Sequence, residues 1–239
     1  MNISIVIPAY NEEKRIEPTL KKIITYLNSN FVKYEIIIVD DCSKDMTYKI
    51  ISKYKMDNIK ILRNKMNMGK GYSVKKGILN ARYNLVLFSD SDLATPIEEL
   101  KNFIDYIKKG YDIVIASRNL EESNVKVKQH LYKQLMGKTF LLLVNIVTGL
   151  KFKDTQCGFK LFKKDIIQKI IKLQTIDRFS FDTEILFIAK KLGYKIKEAP
   201  VTWINQKGTK VKPIGDGIKM FIDMFRMKYN NLSGRYKIE

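Results

Sequence analysis

The chain is poor in the residues that most often declare a chemistry by themselves. Of 239 residues only one is a histidine, His130, so no zinc site or triad resting on histidine spacing can be built. Two cysteines, Cys42 and Cys157, are too few for a disulfide framework and fit a reducing compartment. Long apolar runs are missing as well. The longest candidate, Thr139 to Leu150, falls short of the ~20 residues that span a bilayer and is broken by Asn145 and Thr148. No signal peptide is expected, because Glu12, Glu13, Lys14 and Arg15 closely follow the first apolar run. Acidic residues are scarce: 25 against 44 Lys and Arg, a net charge of +19. That imbalance points to an anionic partner: nucleic acid, nucleotide, phosphorylated substrate or anionic membrane. A generally basic proteome would produce the same bias.

What is present suffices for a packed core. At 45% hydrophobic and 29% charged, the composition excludes a disordered or fibrous chain. There is no internal repeat, low-complexity segment or linker, so one domain over 1–239 is expected. Short β-branched runs alternate with segments of helical spacing. Strands are predicted at Ile3–Ile7, Glu35–Val39, Ile59–Leu62, Leu85–Phe88 and Asp112–Ala116. Between them lie helices marked by Leu20, Ile23, Ile24 and Leu27, then by Met46–Tyr54, by Val74, Ile78 and Ala81, and by Ile97–Ile107. Such alternation predicts an α/β fold with a mostly parallel sheet and helices on both faces. After Arg118 the alternation stops. A polar loop is predicted over 119–130, helices near 131–150, 164–173, 182–192 and 214–229, a turn and strand over 154–162 and a strand near 195–204.

Ligands of parallel sheets bind beyond the strands' carboxyl ends. The residues there are Tyr10, Asp40, Asp41, Asp90, Asp92 and Arg118. The turn Asn67-Met68-Gly69-Lys70-Gly71 fits neither a phosphate loop nor a dinucleotide fingerprint, since Asn64 and Val74 stand where each needs glycine. Asp90-Ser91-Asp92 is more telling. Two carboxylates one residue apart can converge on a hard cation such as Mg²⁺ or Mn²⁺, which leaves positions open for substrate phosphates. Asp-x-Asp also serves as a cap or loop; its place after the fourth strand favours the metal. In Asp40-Asp41 a carboxylate could accept the N–H of a nucleobase, or form a turn.

Ile5-Val6-Ile7-Pro8-Ala9-Tyr10-Asn11-Glu12-Glu13 resembles the opening of the inverting family 2 glycosyltransferases of the Rossmann-like GT-A fold. Ile38-Val39-Asp40-Asp41-Cys42-Ser43, the Asn67–Gly71 turn and Asp90-Ser91-Asp92 are similar to that family in order and spacing. Asp154-Thr155-Gln156-Cys157-Gly158-Phe159-Lys160-Leu161-Phe162 resembles the polyprenyl-phosphate sugar transferases, closest to the dolichyl-phosphate β-glucosyltransferases. Residues 178–184 and the stretch from Trp203 through Gly208-Thr209-Lys210-Val211 fit the same subgroup. The resemblance implies a nucleotide-sugar half over 1–118, an acceptor half over 119–212 and an amphipathic tail over 213–239. It implies that Pro8, Tyr10, Glu12, Val39, Asp41 and Lys70 hold the donor, with Asp90, Ser91 and Asp92 on diphosphate and metal. Arg118 and Lys210 would face the acceptor phosphate. The implied reaction is inverting glucosyl transfer from UDP-glucose to a dolichyl or polyprenyl phosphate, at the cytoplasmic face of a membrane. Ala94 stands where mannose synthases of the family often carry a Gln ligand, and no basic residue near Ile204 or Asn205 matches theirs. GDP-mannose is therefore the lesser alternative. Glucosyl enzymes of eukaryotes carry an N-terminal membrane helix, and this sequence opens on its first strand.

A phosphate acceptor, with a second pKa near ~6, is already a nucleophile at neutral pH. It needs cations, and Arg118, Lys126, Lys128, Lys133, Lys138, Lys207, Lys210 and Lys212 are the candidates. A saccharide hydroxyl would instead need a carboxylate base, for which Asp154, Asp182 and Glu184 are available. Asp154 and Asp182 join the catalytic candidates on that ground. Nucleic-acid binding is not expected, since no recognition signature accompanies the charge. Ile214, Ile218, Phe221, Ile222 and Phe225 form a stripe on the tail helix, widened by Met220, Met224 and Met227. Beside Lys219, Arg226 and Lys228, that stripe suits either an interfacial helix on anionic lipid or a core helix.

Overall fold

The computed structural model describes residues 2–126, 131–206 and 213–237; the side chains of 131–136, 138, 140, 213 and 214 lie outside that description. The first half runs β1 (Asn2–Ala9), α1 (Ile16–Asn30), β2 (Lys33–Asp40), α2 (Thr47–Ile51), β3 (Ile59–Arg63), α3 (Lys70–Leu79), β4 (Leu85–Ser89), α4 (Leu100–Lys108) and β5 (Ile113–Ser117). The second adds β6 (Asn124–Val125), α5 (Leu131–Thr148), β7 (Phe159–Lys163), α6 (Lys164–Leu173), α7 (Phe181–Lys191), β8 (Ile196–Pro200), β9 (Thr202–Trp203) and α8 (Pro213–Leu232).

Seven strands form one sheet in the order β3-β2-β1-β4-β7-β5-β8. All pairs are parallel except those of β7, which runs antiparallel to both β4 and β5. The strands read as unbroken apolar runs because both faces are covered. The period of two then sorts the side chains. Ile3, Ile5 and Ile7 of β1 face Leu20 and Ile23 of α1 and Phe103 of α4, in one cluster. Val6 of β1, Ile37 and Val39 of β2 and Phe88 of β4 pack with Val74 and Ile78 of α3 and with α6 and α7.

This arrangement sets the site. With β1 flanked by β2 on one side and β4 on the other, chain direction through the sheet reverses there, which opens a crevice at the carboxyl ends. Because β7 is antiparallel, its start at Phe159 pairs with Ser89, the end of β4. The turn before β7 therefore arrives at the same rim as Asp90.

Three predicted elements differ. The loop expected over 119–130 contains β6, which pairs with β9; both are two residues long, too short for a periodic signal. The helix expected over Met46–Tyr54 is only α2, and Ser52 Oγ donates to the Tyr48 carbonyl at its end. The α8 stripe is divided: Met224 and Met227 are buried in the core, whereas Ile218, Ile222 and Phe225 are exposed. The Ile214 side chain lies outside the described residues.

Candidate active site

A cleft of about 650 Å³ opens along the carboxyl ends of the strands. That falls within the ~300–1,000 Å³ of small-molecule sites. Pro8, Tyr10, Glu12, Asp41, Lys70, Asp90, Ser91, Asp92, Arg118 and Asp182 all line it. Val39 does not; its side chain belongs to the core cluster beneath. Asp154 is buried behind Arg118 and is not on the cleft wall. Lys210 lies outside the described residues, as do His130, Lys128, Lys207 and Lys212.

One end of the cleft is built on β1 and β2. Asp40 turns inward, taking Arg63 Nε at 3.0 Å and the Ser43 N–H. Asp41 faces the other way and organises the loop before α3. Its carboxylate accepts from Met68 N and Gly69 N, both at 2.8 Å, from Asn64 Nδ2 at 2.7 Å and from Asn67 Nδ2 at 3.0 Å. Those four donors fill its roughly four lone-pair sites, so here it shapes the pocket. Gly69 stands at φ +103°, and a Cβ there would lie 2.4 Å from the Asp177 carbonyl oxygen. The Tyr10–Glu13 loop is stitched to the chain after β2: Asn11 N–H donates to Ser43 Oγ, and Glu12 N–H to Thr47 Oγ1 at 2.6 Å. The Glu12 carboxylate accepts two bonds from Arg15, which also lines the cleft.

Asp90, Ser91 and Asp92 sit at the middle of the cleft. Asp90 N–H donates to the Gly158 carbonyl at 2.9 Å, which ties the acidic loop to the turn before β7. Lys70, the first residue of α3, reaches Asp90 Oδ1 at 2.7 Å. Asp92 accepts the Ala94 N–H at 3.1 Å, and Arg15 Nη1 stands 3.8 Å from its other oxygen. Ser91 contributes its carbonyl to Thr19 Oγ1. Burial and then the Asp90 charge push the Asp92 carboxyl above its ordinary pKa. Two crowded carboxylates form a site that a hard divalent cation would relieve, and their oxygen donors fit Mg²⁺ or Mn²⁺. No third acidic, His or Cys side chain joins them in a metal-binding group among the described residues. The remaining ligands would come from substrate or water.

The other end gathers charge in pairs. Arg118 grips Asp154 through Nε at 2.6 Å and Nη2 at 3.0 Å, and adds its backbone N–H. Its guanidinium lies 5.4 Å over the Trp203 ring. Asp182 is ion-paired to fully buried Lys160, whose ammonium also donates to the Cys157 carbonyl at 2.6 Å. Glu184 accepts from Thr175 N, Thr175 Oγ1, Ile176 N and the Tyr236 hydroxyl, deep under α8. All three carboxylates considered as bases are thus held by donors. Burial and then Asp154 push the Cys157 thiol up to about 11, so it stays protonated and serves packing.

Sequence reasoning missed Arg15 and Lys160, and it missed that the tail helix, α8, reaches the cleft. Arg15 had no strand-end position to mark it. Lys160 carried a signal, a lysine inside the apolar alternation of Phe159-Lys160-Leu161-Phe162. Asp216, Lys219 and Met220 of α8 reach the cleft although they lie far from it in sequence.

The model for glycosyl transferase family 2 matches residues 4–171. The chain belongs to that family of glycosyltransferases. Dolichyl-phosphate beta-glucosyltransferase of Dictyostelium discoideum is 36% identical over 251 residues, taking in 99% of this chain and 77% of that protein. The protein of the same name from Homo sapiens is 31% identical over 258 residues, covering 99% and 78%. Among solved structures, glucosyl-3-phosphoglycerate synthase from Mycobacterium tuberculosis, in complex with Mn²⁺, uridine diphosphate and phosphoglyceric acid, is similar with a TM-score of 0.69. It shows 16% identity over 100% of this chain and 79% of that one. The shared fold is GT-A, as expected from the sequence.

Proposed function

We propose that the protein transfers glucose from UDP-glucose to a dolichyl or polyprenyl phosphate, with inversion at the anomeric carbon. The observation that carries this reading is the state of the acceptor-side charges. Asp154 and Glu184 are buried off the cleft wall, and Asp182, which does line it, is ion-paired to Lys160; this suits a nucleophile that needs no base. The names of the relatives supply the sugar and the lipid phosphate.

In this reading Tyr10, Glu12 and the loop held by Asp41 receive the nucleoside. Asp90 and Asp92 would hold Mg²⁺ or Mn²⁺, an assignment that the Mn²⁺ complex of the similar structure supports. That ion would neutralise the diphosphate and stabilise it as a leaving group. Arg118 lines the cleft and spends two of its side-chain N–H groups on Asp154, which leaves others for the acceptor phosphate; Lys210 would aid it. A phosphate oxygen forms the new bond to the anomeric carbon as the bond to UDP breaks, and that electron pair leaves with the diphosphate. Because the acceptor is a lipid, contact with a membrane belongs to the same reading, through the exposed apolar side of α8. No helix among the described residues is long and apolar enough to cross a membrane.

The test is incubation with labelled UDP-glucose or GDP-mannose and a polyprenyl phosphate in detergent. A β-linked glucosyl phosphate in the lipid extract is expected, from UDP-glucose only and abolished by chelator. Product from GDP-mannose, or transfer to a saccharide hydroxyl, overturns the assignment.

A further inference from the structure

Lys70 holds a place where two of its expected duties conflict. Its ammonium lies 2.7 Å from Asp90 Oδ1, one of the two carboxylates assigned above to the divalent ion. An ammonium bonded to a carboxylate oxygen takes a lone pair that a hard cation could use. Two cations at one oxygen also repel each other. At Oδ1, Lys70 and an ion that arrives alone therefore compete.

The surroundings give Lys70 somewhere to go. Its ammonium lies 5.3 Å from the centre of the Phe88 ring and within the field of Asp182. Asp182 is anchored from beneath by buried Lys160, whose own ammonium is 5.8 Å from the same ring. The stem starts at the first residue of α3, where the Asp41-bound loop fixes the backbone, so only the four-carbon side chain has to move.

We propose that Lys70 is an exchangeable counter-ion: it neutralises Asp90 in the ligand-free site, yields that oxygen to the arriving divalent ion, and carries its ammonium to the donor diphosphate. The inference rests on the metal-dependent reading above and deepens it. Lys70 opposes the ion when the ion comes alone. It favours the ion when a diphosphate comes too, because the displaced ammonium then gains a partner. Metal and nucleotide thus bind cooperatively, by the same factor in either order.

The test uses the full chain and two probes, Mn²⁺ followed by electron paramagnetic resonance and UDP followed by calorimetry. Lys70→Met is expected to bind Mn²⁺ alone about tenfold tighter than the native protein. It is expected to bind UDP in the presence of Mn²⁺ about tenfold weaker. The mutual enhancement between the two ligands should largely vanish. Lys70→Arg keeps the charge and should keep the native pattern. Lys70→Gln should show the same signs as Lys70→Met and carries the test if the Met variant does not melt as a folded protein. Variants that bind Mn²⁺ alone no tighter than native overturn the exchange and leave the metal reading standing. A native protein that binds Mn²⁺ neither alone nor with UDP overturns the metal reading itself.

Discussion

Asp92 and Asp154 carry the same group in opposite surroundings. Asp92 is crowded by burial and by Asp90, with Arg15 only at 3.8 Å. A crowded carboxylate in the cleft is marked for ligand binding. Asp92→Asn should slow turnover at least ~10²-fold, with a melting temperature no lower than native. Undiminished turnover in the variant would remove Asp92 from the site. Asp154 is buried too, but there the Arg118 charge and hydrogen bonds outweigh burial and hold its carboxyl below the ordinary range. A carboxyl depressed in the folded state adds stability above its unfolded value near ~4. It loses that stability as pH falls through the folded value. Asp154→Asn should therefore cost about 3 kcal/mol at neutral pH, the low end for a broken buried pair. It should also lose less than native as the pH drops below about 4. Parallel acid melting curves for the two proteins would show that the pair is not what sets the acid limb.

At the scale of elements, the junction of β4 and β7 decides whether Asp90 points into the cleft. A Cβ on Gly158 would lie 2.0 Å from Asp90 Oδ2 and 2.5 Å from Oδ1, so the carboxylate itself would have to move. Gly158→Ala should cost about 10²-fold in kcat, as a displacement of about 1 Å does elsewhere. A variant with native kcat would mean that Asp90 has room to spare. This junction was only half legible in the sequence. β1 to β5 could be read because each is an apolar run bounded by polar residues, and Asp90 and Asp92 stood out by following one of them. That β7 inserts antiparallel between β4 and β5 leaves no mark on its own residues, since a strand covered on both faces looks alike in either direction. Lys160 and Asp182 are separated in sequence, and their pairing is a product of that insertion. The same limit applies to α8. Its 3.6-residue period marked one broad apolar stripe, but only the neighbours decide that Met224 and Met227 face the core and Phe225 faces out.

The whole molecule joins a strong positive charge to an apolar surface beside the cleft. Ile218 is 58% exposed, Ile222 59% and Phe225 52% on α8. Leu142 and Ile146 on α5, which packs against α8, are 60% and 68% exposed. Lys219, Arg226 and Lys228 are exposed around them, while Asp216, Lys219 and Met220 line the cleft itself. A lipid phosphate held at Arg118 would have its chain leave on this side if the bilayer meets α8. Each large apolar side chain seated in the leaflet contributes about 1.5–3 kcal/mol. Each basic neighbour adds about 1 kcal/mol on an anionic surface. Deleting α8 would not test this, because Met224, Met227 and the Asn230 contact to Thr175 are part of the core. Ile222→Glu with Phe225→Glu changes only the outer side. The native protein should float with phosphatidylserine vesicles, less with neutral ones, and come off in high salt. The double variant should float far less at low salt, with an unchanged melting temperature and unchanged UDP binding, and should act on a short water-soluble polyprenyl phosphate but poorly on the long-chain lipid in vesicles. A double variant that floats like the native protein would place the membrane contact elsewhere. A native dimer that the same variant splits would give this surface to a second copy of the chain.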